Sequence, residues 1–254
     1  MLGAIAGDII GSRFEGHPGP PEGFTLFHRD CRFTDDTVCT LAVAEALRRG
    51  GGFAETLRRF VRRYPDAGYG GMFRKWALDD NAPAYGSWGN GAPMRVAAVG
   101  WSAGSETQAL ELAAAQAAVS HDHPSAVAGA QAVALAILQL RRGAAPADVR
   151  ADIAGRFGHD LRAEIALARG GFDVSAAGTV PPALAAAFGS ADWEQSVRTA
   201  VGLGGDTDTL ACIAGAVAEA IHGLPRAIAD QARDHLTADL RAVLDDFRAS
   251  PHRG

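Results

Sequence analysis

The sequence predicts an all-α fold, a single compact orthogonal bundle of many helices in which a metal site lies between helix N-termini. Three observations support this prediction. Apolar residues recur at helical spacing in nearly every segment, no segment alternates apolar and polar residues as a half-buried strand does, and no loop is long enough to separate two domains. We expect residues 1–248 to form one domain and residues 249–254 a short C-terminal tail.

Apolar residues at helical spacing predict helices from the first residues to the last. The first helix is indicated by the shared face of Leu2, Ile5, Ala6, Ile9 and Ile10. A second helix follows the same spacing over 39–47, and another does so over 210–221. Residues 125–140 are apolar on nearly all sides, which is typical of a central helix. The last helix has a single apolar stripe, formed by Leu236, Leu240, Val243, Leu244 and Phe247.

Glycine, proline and small polar residues mark four loops between the helices, at residues 16–23, 65–71, 81–91 and 169–182. The Asn-Gly pair at 90–91 leads into a helical pattern and is not flanked by strand-like segments. We therefore expect short connections within one bundle.

The composition excludes several classes of protein. A net charge of -5 argues against a nucleic-acid-binding protein, which normally has a basic surface.

The three cysteines lack metal-type spacing, and we expect Cys39 and Cys212 to be small core residues of a reduced, cytoplasmic protein. The first residues lack the basic region of a signal peptide, and we expect no membrane span. No surface heptad requires a dimer, so we expect a monomer.

Two segments with the same pattern suggest a site. "FTDDTVCTLAVAEAL" (33–47) and "GDTDTLACIAGAVAEA" (205–220) each place a cluster of acids and hydroxyls directly before an apolar helix. Such residues are favoured N-caps, because they satisfy the unpaired N–H groups of the first turn. A cap needs only one or two of them, however, and crowded acids repel one another unless a cation is present. Two clusters of this density therefore favour a metal site.

The position of the clusters at helix starts supports that interpretation. Within a helix consecutive side chains point about 100° apart, whereas at the N-terminus adjacent side chains can converge. Two such ends brought together would offer the oxygen ligands Thr34, Asp35, Asp36, Asp206, Asp208 and Thr209. An all-oxygen set favours Mg²⁺, Mn²⁺ or Ca²⁺ over zinc. Two six-coordinate ions sharing these side chains would keep positions open for water or substrate.

Three further stretches have less specific signals. Asp8, Gly11, Ser12 and Glu15 form a polar stripe at helical spacing, and its glycine indicates close approach of another helix or a ligand. The Gly-rich "YGSWGNGAPMR" (85–95) can present backbone N–H groups to a phosphate. In "SHDHP" (120–124), His121 and His123 are predicted at the end of an Ala-rich helix, where imidazoles interact favourably with the helix dipole.

Taken together, the motifs resemble those of the ADP-ribosylglycohydrolase family, which includes the dinitrogenase-reductase-activating glycohydrolases. "GAIAGDIIGSRFE", "FTDDT", "GSWGNGAPMR", "SHDHP" and "GLGGDTDT" stand in the order seen in that family, across residues 3–223. The resemblance implies an all-helical fold, a binuclear Mg²⁺ or Mn²⁺ centre, and hydrolysis of the glycosidic bond between ADP-ribose and an acceptor. The expected partner is therefore an ADP-ribosylated protein or a small ADP-ribosyl compound.

The resemblance also implies roles for individual residues. The metal ligands would be Thr34, Asp35, Asp36, Asp206, Asp208 and Thr209. Glu15, or a metal-bound Asp36, would act as the general base. The residues that contact ADP-ribose would be Ser87, Gly89, Asn90, Gly91 and His121, with Trp88 stacking on the substrate.

The alternatives are other substrates at the same site and other classes of protein. The leading hypothesis is hydrolysis of ADP-ribosyl-arginine, with ADP-ribosyl-serine or O-acetyl-ADP-ribose as alternatives at the same site. A prenyl-diphosphate enzyme is disfavoured, because its acids recur at i and i+4 and Thr40 stands four residues after Asp36. A non-catalytic ADP-ribose-binding protein ranks lower, because every ligand position is intact.

Overall fold

A computed structural model describes residues 1–17, 20, 22–162 and 172–249. These residues form thirteen α-helices: α1 (Leu2–Gly11), α2 (Asp35–Arg49), α3 (Phe53–Arg63), α4 (Gly71–Leu78), α5 (Ala97–Ser102), α6 (Glu106–Ala118), α7 (Pro124–Arg141), α8 (Pro146–Phe157), α9 (Ala176–Gly189), α10 (Trp193–Gly202), α11 (Thr207–His222), α12 (Arg226–Asp234) and α13 (Ala238–Ala249). A short 3₁₀ turn, Ser12–Phe14, follows α1. The all-α prediction is confirmed, and within the described ranges the only β-pairing is an isolated bridge between Gly89 and Ser175.

The core is built around α7 and α11. Residues 132–138 of α7 are all fully buried, which confirms its prediction as a central helix. Helices α5, α6, α8, α9 and α11 pack against α7. Cys31, Cys39 and Cys212 are buried free thiols, so the two cysteines predicted for the core lie there. No helix in the described part of the chain is both long and apolar enough to cross a membrane.

Helix α1 packs against α11 more closely than any side chain would allow. Gly3, Gly7 and Gly11 lie on one face of α1, and a Cβ on each would overlap the carbonyl oxygen of Gly215, Ala211 or Thr207, respectively. The Thr207 hydroxyl donates a hydrogen bond to the Gly11 carbonyl (2.8 Å) at the end of this contact. Gly11, the glycine of the predicted polar stripe, thus marks the close approach of another helix. A helix was one of the two explanations expected, the other being a ligand.

The chain after α1 continues this contact through backbone hydrogen bonds. The N–H of Gly16 donates to the Gly205 carbonyl (2.8 Å), and the N–H of Gly205 donates to the His17 carbonyl (3.3 Å). Gly205 has a φ of +76°, a conformation that a side chain would strain. Glu15, predicted on the helical stripe, instead lies after the 3₁₀ turn with non-helical dihedrals. These bonds hold it beside the start of α11.

Two boundaries differ from the sequence-based expectation. The predicted loop at 169–182 was wrong in its second half, because α9 begins at Ala176 and contains Pro181 and Pro182. Both prolines lack the N–H of a helical hydrogen bond, and both are buried, so a sequence signal for a loop falls within a packed helix. Residues 163–171, part of the same predicted loop, lie outside the described residues, as do 250–254 of the predicted tail. The helical pattern expected directly after the Asn-Gly pair at 90–91 begins only at Ala97.

We predict that Gly7→Ala destabilises the protein although alanine favours helices. The added Cβ would force α1 away from α11 and should lower the free energy of unfolding by about 1–3 kcal/mol. The matched control is Gly155→Ala in α8, where no atom lies within 4 Å of the new Cβ. That change should stabilise the protein by about 0.5–1 kcal/mol. Urea denaturation measures both, and equal effects of the two changes would contradict the close packing.

Candidate metal centre and substrate cleft

The N-termini of α2 and α11 meet, as predicted for the two acidic clusters. Thr34 is the N-cap of α2, and its hydroxyl accepts the N–H of Asp36 (3.3 Å). Asp206 precedes α11, and its Oδ2 accepts a hydrogen bond from Asn90 Nδ2 (2.6 Å). The Thr209 hydroxyl donates to Asp36 Oδ2 (3.4 Å) and so connects the two helix ends. Capping accounts for Thr34 but not for the acids around it.

Carboxylates from three chain segments converge at this junction. Asp8, Asp36 and Asp208 form one group, and Glu15, Asp206 and Asp208 form a second; within each, one oxygen per residue lies within 4.8 Å of the others. Asp208 belongs to both groups, so the two candidate cation positions adjoin each other. This arrangement fits one or two divalent cations bound by oxygen ligands.

Two of these carboxylates retain buried oxygens that no hydrogen bond satisfies. Asp36 Oδ1 and Asp208 Oδ1 have no partner among the described residues. A buried oxygen left in this state costs roughly 1–3 kcal/mol, and more when it is charged. A divalent cation would satisfy both atoms, so the residues present fit a metal ion.

The electrostatics of the cluster lead to the same interpretation. Burial, and after it the charges of neighbouring acids, raises the pKa of Asp36 and of Asp208 well above the usual range. Burial and the nearby Asp8 raise the pKa of Asp35 to about 8. Without a cation, burial and mutual repulsion favour the protonated forms of these groups, whereas a bound cation favours their charged forms.

Asp8 is a member of the site that the sequence analysis placed only on a polar stripe. Its side chain is fully buried in α1 and accepts hydrogen bonds from the backbone and hydroxyl of Thr34 (3.0 and 2.7 Å). It also accepts from the backbone N–H of Thr37 (3.1 Å) and from its hydroxyl. Asp8 thus ties α1 to the first turn of α2. The available signal was an acid within an otherwise apolar helix, close to the packing glycines.

A cleft of about 530 Å³ opens above the acids. It has the size typical of a small-molecule site. The predicted site residues that line it are Glu15, Asp35, Asp36, Ser87, Trp88, Gly89, Asn90, Gly91, His121, Asp206, Asp208 and Thr209. Thr34 lies beneath the lining, bonded to Asp8. Exposed apolar side chains form the rim, namely Met72, Trp88, Phe172 and Val174.

The Gly-rich loop is fixed along one wall of the cleft by several contacts. The N–H of Asn90 donates to the Val174 carbonyl (2.8 Å), and Trp88 accepts from the N–H of Ala176 (3.0 Å). The N–H of Gly86 donates to the exposed carboxylate of Asp122 (2.7 Å), a contact that the sequence analysis missed. The side chain of Asn90 is buried and donates to Asp206 as well as to Thr179 (3.1 Å). Its amide therefore supports the acid cluster.

The two histidines of "SHDHP" occupy different environments. His121 is buried, and burial together with the charge of Arg95 lowers the pKa of its imidazole well below the usual value. A neutral ring gains nothing from a helix dipole, so that interpretation does not apply to His121. His123 is the N-cap of α7 and accepts the N–H of Ser125 (3.2 Å), so its predicted position at a helix C-terminus was wrong. Sequence periodicity could not reveal that a new helix starts after it.

The fold and the site together define an all-helical protein with a cluster of carboxylates that could bind a divalent cation beneath a substrate-sized cleft. A family model described as ADP-ribosylglycohydrolase matches residues 1–253. The chain belongs to this family of glycosyl hydrolases.

Individual relatives agree with this assignment. The chain is 27% identical to ADP-ribosylhydrolase ARH3 of Xenopus tropicalis, over 56% of its own length and 49% of the frog protein, so that match spans about half of the relative. It is 25% identical to ADP-ribosylhydrolase ARH3 of Homo sapiens, over 88% of this chain and 84% of the human protein. A solved structure titled "ADP-ribosylglycohydrolase-related protein complex" superposes with a TM-score of 0.72 and 26% identity, covering 98% of this chain and 97% of that one.

We predict that Asp208→Asn weakens metal binding strongly, because Asp208 contributes to both carboxylate groups. The affinity for Mg²⁺ or Mn²⁺, measured by calorimetry at neutral pH, should fall by at least about tenfold. Asp192→Asn is the control, since Asp192 also stands at a helix N-terminus but only caps α10. Unchanged metal affinity in Asp208→Asn would show that the cluster is not a metal site.

We also predict that, without metal, stability falls as the pH rises. The folded-state pKa values of Asp8, raised to about 6, and Asp35, raised to about 8, exceed the roughly 3.9 of an unfolded aspartate. The folded state therefore binds more protons between about pH 4 and pH 8, and its free energy of unfolding decreases across that window. Melting curves in EDTA should show Tm decreasing with pH, and added Mg²⁺ should raise Tm most at the alkaline end. A Tm in EDTA that rises with pH would contradict the raised pKa values.

Proposed function

We propose that the protein hydrolyses the glycosidic bond between ADP-ribose and an acceptor, and that the acceptor is an arginine side chain. One observation carries this proposal: carboxylates at two helix N-termini, with buried unpartnered oxygens, form the floor of a cleft of about 530 Å³. The family match supports glycosidic hydrolysis of ADP-ribosyl compounds in general. The arginine acceptor rests on the charge of the cleft.

The proposed metal ligands are the six predicted side chains, Thr34, Asp35, Asp36, Asp206, Asp208 and Thr209. Two Mg²⁺ or Mn²⁺ ions bound there would supply Lewis acidity and orient the ribose hydroxyls. Thr34 donates its proton to Asp8, which leaves a lone pair of its oxygen for a cation. Asn90 holds the orientation of Asp206 through its amide.

Glu15 is the proposed general base. It is exposed to the cleft, whereas the side chain of Asp36 is only 1% exposed and is better placed as a ligand. Burial and the neighbouring Asp206 raise the pKa of Glu15, which strengthens it as a proton acceptor. A water between Glu15 and the anomeric carbon would lose its proton to the Glu15 carboxylate as its oxygen bonds to that carbon. The electron pair of the broken C–N bond would leave with the acceptor nitrogen, and the released neutral guanidine would take up a proton to become guanidinium again.

The wall opposite the acids would hold the rest of ADP-ribose. The proposed donors to the diphosphate are Ser87, His121 and those backbone N–H groups of the Gly-rich loop that do not already donate within the protein, as those of Gly86, Gly89 and Asn90 do. Trp88, 52% exposed at the rim, is the proposed stacking surface for the substrate.

The acceptor is proposed from the charge around the cleft mouth. The charged side chains lining the cleft are Glu15, Asp35, Asp36, Asp206, Asp208 and the fully buried Arg95. Glu15 is the one acid among them outside the proposed ligand set, so the cations would not neutralise its charge, and that charge would attract a cationic guanidinium acceptor to the cleft. Serine and acetyl acceptors have no such charge. We further propose that the protein is a cytoplasmic monomer of one domain, acting on ADP-ribosylated protein.

The test is release of free ADP-ribose from arginine-ADP-ribosylated peptide, serine-ADP-ribosylated peptide and O-acetyl-ADP-ribose, each with Mg²⁺, Mn²⁺ or EDTA. We expect metal-dependent release from the arginine peptide. Asp206→Ala should reduce it at least about 100-fold, while Asp148→Ala, an acid in the first turn of α8 that does not line the cleft, should leave it unchanged.

Each other outcome has a definite meaning. Release from the serine peptide or O-acetyl-ADP-ribose alone would overturn the arginine acceptor but retain the reaction. Calorimetric binding of ADP-ribose without release from any substrate would indicate a non-catalytic binding protein. Neither binding nor release would overturn the proposed function.

A further inference from the structure

Arg95 is a fully buried cation beside the cleft, and neutral acceptors hold it. Its Nε donates to Gln116 Oε1 (2.7 Å), and its Nη2 donates to the Gln116 carbonyl (2.7 Å) and to Ser120 Oγ (3.2 Å). The amide nitrogen of Gln116 donates to the Ala92 carbonyl (3.1 Å), which fixes its oxygen towards Arg95. The proposed chemistry does not use Arg95.

The hydroxyl of Ser120 lies between Arg95 and His121. Ser120 is fully buried, and its Oγ is 2.8 Å from His121 Nδ1. Arg95 can only donate, so Ser120 accepts from it, and the hydroxyl proton must go to another atom. The hydrogen-bond contacts of Ser120 Oγ among the described residues are Arg95 Nη2 and His121 Nδ1, so Nδ1 is the acceptor available to the hydroxyl proton.

This chain of hydrogen bonds determines which nitrogen of His121 has the proton. If Nδ1 accepts from Ser120, a neutral ring must have its proton on Nε2. Nε2 faces the Gly-rich loop, since a Cβ at Gly91 would lie 2.6 Å from it and one at Gly89 3.7 Å from it. The rings of Phe73 and Tyr85, with centroids 5.8 and 5.9 Å from that of His121, pack around the imidazole.

We propose that Arg95 and Ser120 are positioning residues that hold His121 as the Nε2–H tautomer, so that its ring donates a hydrogen bond to an acceptor oxygen of the ligand in the cleft. The tautomer follows from contacts within the protein and is independent of the proposed function. The assignment of the acceptor to an oxygen of ADP-ribose rests on that function. A cleft with an acidic floor thus has a fixed neutral donor on the opposite wall.

The experiment is ¹⁵N NMR of the histidine rings in the full-length protein, with His121 assigned by the loss of its signals in His121→Gln. In the wild type we expect Nε2 at the shift of a protonated ring nitrogen and Nδ1 at that of an unprotonated acceptor. Ser120→Ala removes the donor to Nδ1, and both signals should move towards those of exchanging tautomers. Arg95→Gln should have the same effect, because it replaces a side chain that can only donate with one whose amide oxygen offers the serine proton a second acceptor.

The matched control is Ser125→Ala, because Ser125 Oγ is also 2.8 Å from the Nδ1 of a histidine, His123. It should alter the signals of His123 and leave those of His121 unchanged. A wild-type His121 protonated on Nδ1 or on both nitrogens would overturn the proposal, as would His121 signals unchanged by Ser120→Ala. If Arg95→Gln does not fold, Ser120→Ala still decides the result, because it removes a single oxygen atom.

Calorimetry with ADP-ribose and Mg²⁺ tests the second half of the proposal. Ser120→Ala should weaken ADP-ribose binding about three- to tenfold, the contribution of one ordinary hydrogen bond. Ser125→Ala should leave the Kd unchanged. Equal Kd values for Ser120→Ala and wild type would overturn the donor role of His121. Absence of ADP-ribose binding by a wild type with the expected tautomer would instead overturn the proposed function and leave the tautomer assignment intact.

Discussion

The close packing of α1 on α11 is the constraint on which the site depends. Three glycines, Gly3, Gly7 and Gly11, let the two backbones touch, and the contact runs directly to the first turn of α11. Because α1 ends there, its Asp8 and the Glu15 that follows it lie beside Asp206 and Asp208. A larger side chain on that face would separate two of the three segments that supply carboxylates. The same interaction therefore builds part of the core and aligns the acids.

The acids themselves oppose this assembly, since like charges in a buried space repel one another. Several contacts offset the repulsion. Asp8 accepts hydrogen bonds from the start of α2, Asn90 donates to Asp206, and the positive ends of two helix dipoles face the cluster. Even so, Asp36 and Asp208 each retain an unpartnered buried oxygen. The protein keeps a locally unfavourable arrangement at the point where a cation would bind, as expected where function takes precedence over stability.

The sequence predicts those parts of the structure that depend on local spacing. The helices, the acidic clusters at two helix starts and the close approach at Gly11 all follow from patterns within one segment. Features that depend on distant contacts could not be predicted. Pro181 and Pro182 lie within α9 and are buried, although proline in a sequence favours a loop. His123 is the N-cap of α7, and predicting that role requires knowing where the chain turns between two helices.

The functional residues differ in the same way, since local patterns predicted some of them and only distant contacts reveal the others. The dense clusters indicated the candidate oxygen ligands, because their acids and hydroxyls exceed what capping needs. Asp8 and Arg95, in contrast, are single charged residues in apolar surroundings, and only the fold shows what they face. Asp8 bridges two helices beneath the acids, and Arg95, which itself lines the cleft, contacts His121 through Ser120. Asp8 therefore organises the carboxylate oxygens on one side of the cleft. In the proposed arrangement, Arg95 orients a neutral hydrogen-bond donor, the His121 ring, on the other side. A ligand that joins a hydroxyl-rich sugar to a diphosphate matches this arrangement. Its hydroxyls suit a metal centre, and its anionic oxygens need hydrogen-bond donors that lie away from the carboxylates, which would repel them.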